Sequence, residues 1–193
     1  MRVIAGEWRG RRIGEPDGRD VTRPTTDRAR EACASMVDAA LPAGIEGARV
    51  LDAFAGSGAM GIEMLSRGAA WCTFFDMDRR AARLVASNLE AVGCDRARHR
   101  VVTGDVLASA SRGRVPGGPF DLVILDPPYA LEASAVTGLV EGLDRAGLLA
   151  GAAVVLYEHA AARPGIAPAG FAGVRERRYG IAAVQLLERG DPA

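Results

Sequence analysis

A chain of 193 residues, 49% of them hydrophobic and 25% charged, has the size and composition of a water-soluble protein built around one main domain. No apolar run approaches the ~20 residues needed to cross a bilayer, and residues 1–9 lack an apolar core of signal-peptide length, so a cytoplasmic protein without membrane contact is expected. The formal net charge is zero and every basic side chain except the two histidines is an arginine, which excludes a chain that is basic throughout.

Charge is nevertheless uneven. Residues 1–30 hold eight arginines against five acids, so the first segment is locally basic. Within it, residues 2–5 and 10–13 read as two short extended runs about a turn at 6–9, a small β-hairpin. A loop rich in Gly, Pro and Asp follows over 14–24. Thr26-Asp27 then looks like a helix start, with Ala29, Cys33, Met36 and Val37 on one face of a helix reaching about Leu41.

From Gly47 the chain alternates strand and helix. Strands are expected at 49–54, 71–75, 99–103, 120–125 and 152–156, and FDLVIL at 120–125 is the continuous apolar run of a central parallel strand. Helices are expected at 59–66, after a cap at Asp78 up to Gly93, and at 132–145, with Gly147 just past the end. Two further strands, 173–179 and 181–187, meet at a tight turn on Gly180. Repeated strand–helix–strand units imply an α/β, mostly parallel seven-stranded sheet with helices on both faces and an antiparallel edge hairpin. Ligands then belong at the carboxyl ends of the central strands.

Gly56-Ser57-Gly58-Ala59-Met60-Gly61 fits the G-x-G-x-x-G pattern between a strand and a helix. Asp76 follows at the end of the next strand, the spacing of an acid that binds ribose hydroxyls. These features suit a nicotinamide enzyme as well as a methyltransferase. Asp52 favours the methyltransferase. An acid at the mouth of the first strand can organise the amino-acid end of S-adenosylmethionine, whereas it would repel a pyrophosphate. Asp105, just after the third strand, is placed to accept the adenine amino hydrogens. Cys33, Cys72 and Cys94 have no CxxC spacing and only two histidines accompany them. They read as buried thiols in a reducing compartment, and no metal is expected.

Asp126-Pro127-Pro128-Tyr129 directly follows FDLVIL and so lies at the carboxyl edge. An exocyclic base amine is a poor nucleophile because its lone pair is delocalised into the ring. Two acceptors, the Asp126 carboxylate and the Pro127 carbonyl, draw the nitrogen toward tetrahedral geometry and expose that lone pair. Proline's fixed φ holds the carbonyl in place, and Tyr129 offers a face on which a splayed-out base stacks.

The sequence resembles the RsmD-type methyltransferases, which act on guanine N2 of 16S ribosomal RNA. The likeness runs through RVIAGEWRGRRI (2–13), RPTTDRARE (23–31), LDAFAGSGAMGIEMLSRGA (51–69), FFDMD (74–78), LDPPY (125–129) and VVLYEH (154–159). It implies a class I (Rossmann-like) methyltransferase domain over 25–193, preceded by a basic RNA-contacting hairpin over 1–24. It implies S-adenosylmethionine as cofactor, a monomer, and 16S RNA in the small subunit or an assembly intermediate as partner. The implied cofactor set is Asp52, Phe54, Gly56, Ser57, Gly58, Asp76, Met77, Asp105 and Val106. Asp126, Pro127, Pro128 and Tyr129 would hold the base, and Arg9, Arg11, Arg12, Arg23 and Arg28 would contact RNA. DPPY alone does not separate guanine N2 from adenine N6 in DNA or another RNA. A dinucleotide oxidoreductase and a catalytically silent assembly factor are the other readings. Removing residues 1–20 is expected to spare the cofactor site, unless the head is a structural cover.

Overall fold

The computed structural model describes residues 1–16 and 27–190. Its elements in chain order are α1 (Asp27–Ala40), β1 (Arg49–Asp52), α2 (Ala59–Ser66), β2 (Trp71–Asp76), α3 (Arg79–Ala91), β3 (His99–Thr103), α4 (Val106–Ser111), β4 (Phe120–Leu125), α5 (Ala133–Arg145), β5 (Leu149–Ala160), β6 (Phe171–Tyr179) and β7 (Ala182–Arg189). The seven strands form one sheet in the order β3-β2-β1-β4-β5-β7-β6. β1 to β5 are mutually parallel. β7 runs antiparallel between β5 and β6, so the later arm of the closing hairpin is the inner one.

Local sequence explains most of these elements. β4 is apolar at five of its six positions because helices cover both of its faces. α3 starts where the Asp78 side chain accepts from Arg80 N, and it buries Ala82, Val85 and Leu89 as one stripe. α5 buries Val136, Leu139, Val140 and Leu143, and Gly147 follows its cap with φ +68°. Two apolar layers flank the sheet. Side chains from residues 1–13, α1, α2 and α3 pack on one face, and those of α4 and α5 on the other. Among the described residues no helix is long and apolar enough to cross a membrane.

Four expectations shift. β1 ends at Asp52, because the chain turns at Ala53-Phe54 toward the glycines. β5 is longer than its apolar centre, since pairing with β7 continues to Ala160. α4, six residues long, had not been expected; the Asp105 carboxylate nucleates it by accepting from Leu107 N and Ala108 N. The start at Thr26 and the 14–24 loop beyond position 16 lie outside the described residues.

The fourth concerns the head. Its two arms share a single bridge, Arg2 with Arg12, supported by Val3 N to Arg11 O (3.0 Å) and Gly10 N to Val3 O (2.9 Å). No longer ladder forms, because Ile4 N and Ala5 N donate instead to the Glu63 carboxylate at 2.8 and 3.0 Å. Trp8 N and the Ala5 carbonyl meet the Ser66 hydroxyl. Val3, Trp8 and Ile13 are buried in the same core as α1, α2 and α3. The head is packed into the methyltransferase-like body rather than appended to it.

Candidate active site

The sheet order reverses between β1 and β4. Asp52 pairs across to Ile124, and Ala53 N donates to the Ile124 carbonyl at 3.0 Å. This brings the turn after β1 beside the start of Asp126-Pro127-Pro128-Tyr129, although 73 positions separate Ala53 from Asp126 in the sequence. A topological switch point of this kind is where an open α/β sheet binds ligands.

Two glycines of the turn have separate tasks. Gly56 takes φ +54°, and a Cβ built there would meet nothing within 4 Å, so the backbone faces open space that a ligand can enter. A Cβ on Gly61 would stand 2.4 Å from the Phe74 ring and 2.8 Å from Cys72 Sγ. That position lets α2 lie close on β2. Ser57 is buried; its carbonyl accepts from Asn88 Nδ2 at 2.8 Å. The Asn88 amide also pairs with Gly14 through both its oxygen (2.7 Å) and its nitrogen (3.2 Å). The cofactor turn and the head are therefore tied through one asparagine.

Asp76 closes the turn from the side. Its Oδ2 accepts from Gly56 N (2.9 Å) and its Oδ1 from Asp78 N (2.8 Å), which leaves lone pairs on both oxygens for further donors. Met77 beside it is 72% exposed, an apolar side chain without protein cover. Phe54 is half-buried. Asp105 is half-buried and uses Oδ1 as the cap of α4. Val106 is buried in the core, so its side chain is not presented to a ligand.

Asp52 sits differently from the open strand mouth expected of it. It is 3% exposed, beneath the turn, and accepts from Gly61 N at 3.1 Å. Burial pushes its carboxyl up to about 7, the Gly61 N–H opposes the shift, and the Asp76 charge adds to it. A carboxyl whose folded value lies above its unfolded one (about 3.9) binds its proton more tightly in the fold. Stability is then lost as pH rises from about 4 to about 7 and is level above. Asp52→Asn removes that loss while keeping an oxygen for Gly61 N. Relative to wild type, the variant should gain stability across pH 4–7, on the order of 4 kcal/mol at most, and hold the gain above pH 7. Urea melts of both proteins at several pH values check this; parallel profiles would refute it.

At the end of β4, Asp126 is exposed, Pro127 buried, Pro128 exposed and Tyr129 half-buried. Leu131 N donates to the Pro128 carbonyl at 2.8 Å and closes a turn around Tyr129. The four residues thus lie at the carboxyl edge on a rigid strand end.

The arginines divide. Arg9, Arg11, Arg12 and Arg28 are exposed. Arg9 and Arg28 line a cavity of about 310 Å³ between head and α1, together with Arg2, Asp27 and Glu31; none of the turn or DPPY residues borders it. Arg11 also serves the fold, since Nη1 donates to the Val92 carbonyl at 2.6 Å, at the carboxyl end of α3. Arg23 lies outside the described residues. Sequence reasoning missed Arg98, whose guanidinium lies 5.5 Å from the Trp8 ring centroid and donates to Leu65 O and Ala69 O. Trp8 is 2% exposed, so it anchors the head and is not available to stack on a base. The sequence alone assigns no role to Glu63 or Glu158; the local signal for Glu63 is an acid inside an apolar helix.

The family model described as "Conserved hypothetical protein 95" matches residues 1–188. "Ribosomal RNA small subunit methyltransferase D" of Escherichia coli strain K12 is 35% identical over 195 aligned positions, covering 98% of this chain and 90% of that protein. The solved structure of yhhF from Escherichia coli superposes with a TM-score of 0.82 at 34% identity, over 100% of this chain and 99% of the other. SMU.776, solved in complex with SAH, shares the fold at a TM-score of 0.64 and 19% identity, over 84% of this chain and 48% of that one.

Proposed function

The chain belongs to the conserved hypothetical protein 95 family, that of the RsmD methyltransferases, and from that premise we propose that it methylates the N2 amine of a guanine in 16S ribosomal RNA. The observation that carries the reading is the adjacency of the glycine turn after β1 to DPPY after β4. A cofactor held by the first meets a base held by the second. S-adenosylmethionine is the cofactor, and it supplies an electrophilic methyl on a sulfonium. The residues present fit it, with open space before Gly56, a carboxylate at Asp76 and the uncovered Met77.

Everything else is positioning. Asp126 and the Pro127 carbonyl accept the two amine hydrogens and direct the nitrogen lone pair, while Tyr129 supports the base. Asp76 takes the ribose hydroxyls, Asp105 the adenine amine through the oxygen not used as a cap, and Met77 and Phe54 the faces of the adenine. Gly56, Ser57 and Gly58 give backbone to the amino-acid end, with Asp52 holding the turn from beneath. Arg9, Arg12 and Arg28, with Arg23, bind phosphates of a small-subunit particle and give affinity rather than sequence. The protein works as a monomer in the cytoplasm.

The test is mass spectrometry of nucleosides from ribosomal RNA of cells with and without the protein. Loss of one N2-methylguanosine in 16S RNA supports the proposal. Loss of N6-methyladenosine, or no loss, refutes it.

Asp76→Ala should weaken S-adenosylmethionine binding while turnover at saturation falls less. A carboxylate that bonds ribose acts in ground and transition states alike, so its removal raises KM more than it lowers kcat. Calorimetry on the folded variant checks this, and unchanged affinity would remove Asp76 from the site.

A further inference from the structure

We propose that Glu158 makes the site specific for guanine, by accepting the base's N1–H beside the amine held by Asp126 and Pro127. The inference rests on the guanine reading above and names the residue that enforces it. β4 and β5 are parallel neighbours whose register runs Ile124 to Leu156 and Leu125 to Tyr157. Asp126 is the first residue past the end of β4 and Glu158 is the residue after Tyr157 in β5, so the last pair of that register leaves the two as the next positions on neighbouring chains. Ile124 and Leu156 both face the core that α1 covers, so alternation along β5 puts Glu158 on that same face. The charges of both carboxylates reach the Cys33 thiol on α1. Burial first, then Glu158 and Asp126, push that thiol up to about 12. Tyr157 and His159 stack at 5.0 Å on the opposite face, so Glu158 keeps its side without their aromatic cover. Glu158 is half-buried on a strand, a rigid mount for recognition.

The chemistry of the two purines decides what such a pair can hold. Guanine offers adjacent donors, N1–H and the N2 amine. Adenine offers an amine next to an N1 lone pair. An ionised carboxylate only accepts, and it accepts from several donors at once. Beside the amine's acceptors, Glu158 attracts guanine N1–H and repels adenine N1. A site built to bond a donor discriminates strongly against an analogue that presents a lone pair at the same position.

2-Aminopurine isolates this contact, since it keeps the amine of guanine but carries a lone pair at N1. Reconstituted small-subunit RNA is prepared with guanine or 2-aminopurine at the nucleotide identified by the mapping above, and methyl transfer is measured with the full-length protein. Wild type should prefer guanine by at least about 100-fold in kcat/KM. Glu158→Gln should bind S-adenosylmethionine as wild type does, lose at least tenfold on guanine, and narrow the preference at least tenfold, since the amide can donate to N1. Glu158→Asp, which remains an acceptor, should keep the preference at reduced rate and serves if the glutamine variant does not fold. A wild-type enzyme indifferent to the two bases overturns the proposal, as does a glutamine variant whose preference is unchanged. Adenine methylation by the wild type would overturn the guanine reading as well, whereas guanine methylation with an unaltered preference overturns this inference alone.

Discussion

Asp126→Ala is expected to slow methyl transfer by about 10²-fold or more while leaving S-adenosylmethionine affinity nearly unchanged. The side chain is exposed at the end of β4, and the residues that hold the strand, from Leu122 to Leu125, are buried without it. The fold should therefore survive the change. What is lost is one of two preorganised acceptors for the amine hydrogens. Removing a comparable preorganised hydrogen-bond partner costs about 10²–10³-fold in turnover. The Pro127 carbonyl remains, anchored by a buried ring, so some activity can persist at high enzyme concentration. The loss should appear in kcat, because the acceptor matters most as the nitrogen lone pair forms its bond. Single-turnover rates and calorimetry on one preparation separate the two effects. A variant that keeps more than about a tenth of wild-type activity would remove Asp126 from the chemistry. One that loses cofactor affinity in proportion would move it to the cofactor pocket.

The central sheet and the placement of DPPY were legible because each rests on a short-range signal. FDLVIL is unbroken apolar chain, a strand covered on both faces, and whatever follows it must emerge at the carboxyl edge. Asp78 and Gly147 mark helix ends by local bonding. Long-range commitments left no such trace. Asp52 looked open in the sequence, and only the fold shows α2 closing over it through Gly61. Arg11 belongs to a basic run, yet its guanidinium caps the distant end of α3. The α4 segment VLASAS is too short to display a helical period, and Asp105, which starts it, reads in the sequence only as a ligand residue. Glu158 becomes meaningful once the register pairs its neighbour Tyr157 with Leu125, the residue before Asp126.

Glu63→Ala is expected to be strongly destabilising, and it tests whether the head is structural. Glu63 is fully buried in α2. It accepts from Ile4 N and Ala5 N and pairs with Arg67 Nε at 2.8 Å. Alanine would leave two backbone donors without the Glu63 acceptor and a mostly buried guanidinium with Glu31 as its remaining carboxylate partner among the described residues. Breaking a buried ion pair by removing one member costs about 3–5 kcal/mol, a large share of the roughly 5–15 kcal/mol that holds a domain together. Glu63→Gln keeps one oxygen and should lose less. The head reaches the cofactor turn through Asn88, so deleting residues 1–20 should now lower the melting temperature and weaken S-adenosylmethionine binding together. Hydrogen exchange at Ile4, Ala5 and Trp8 identifies the first part to loosen. A loss below about 1 kcal/mol for Glu63→Ala, or a truncated chain with wild-type melting and cofactor affinity, would show the head to be dispensable to the fold.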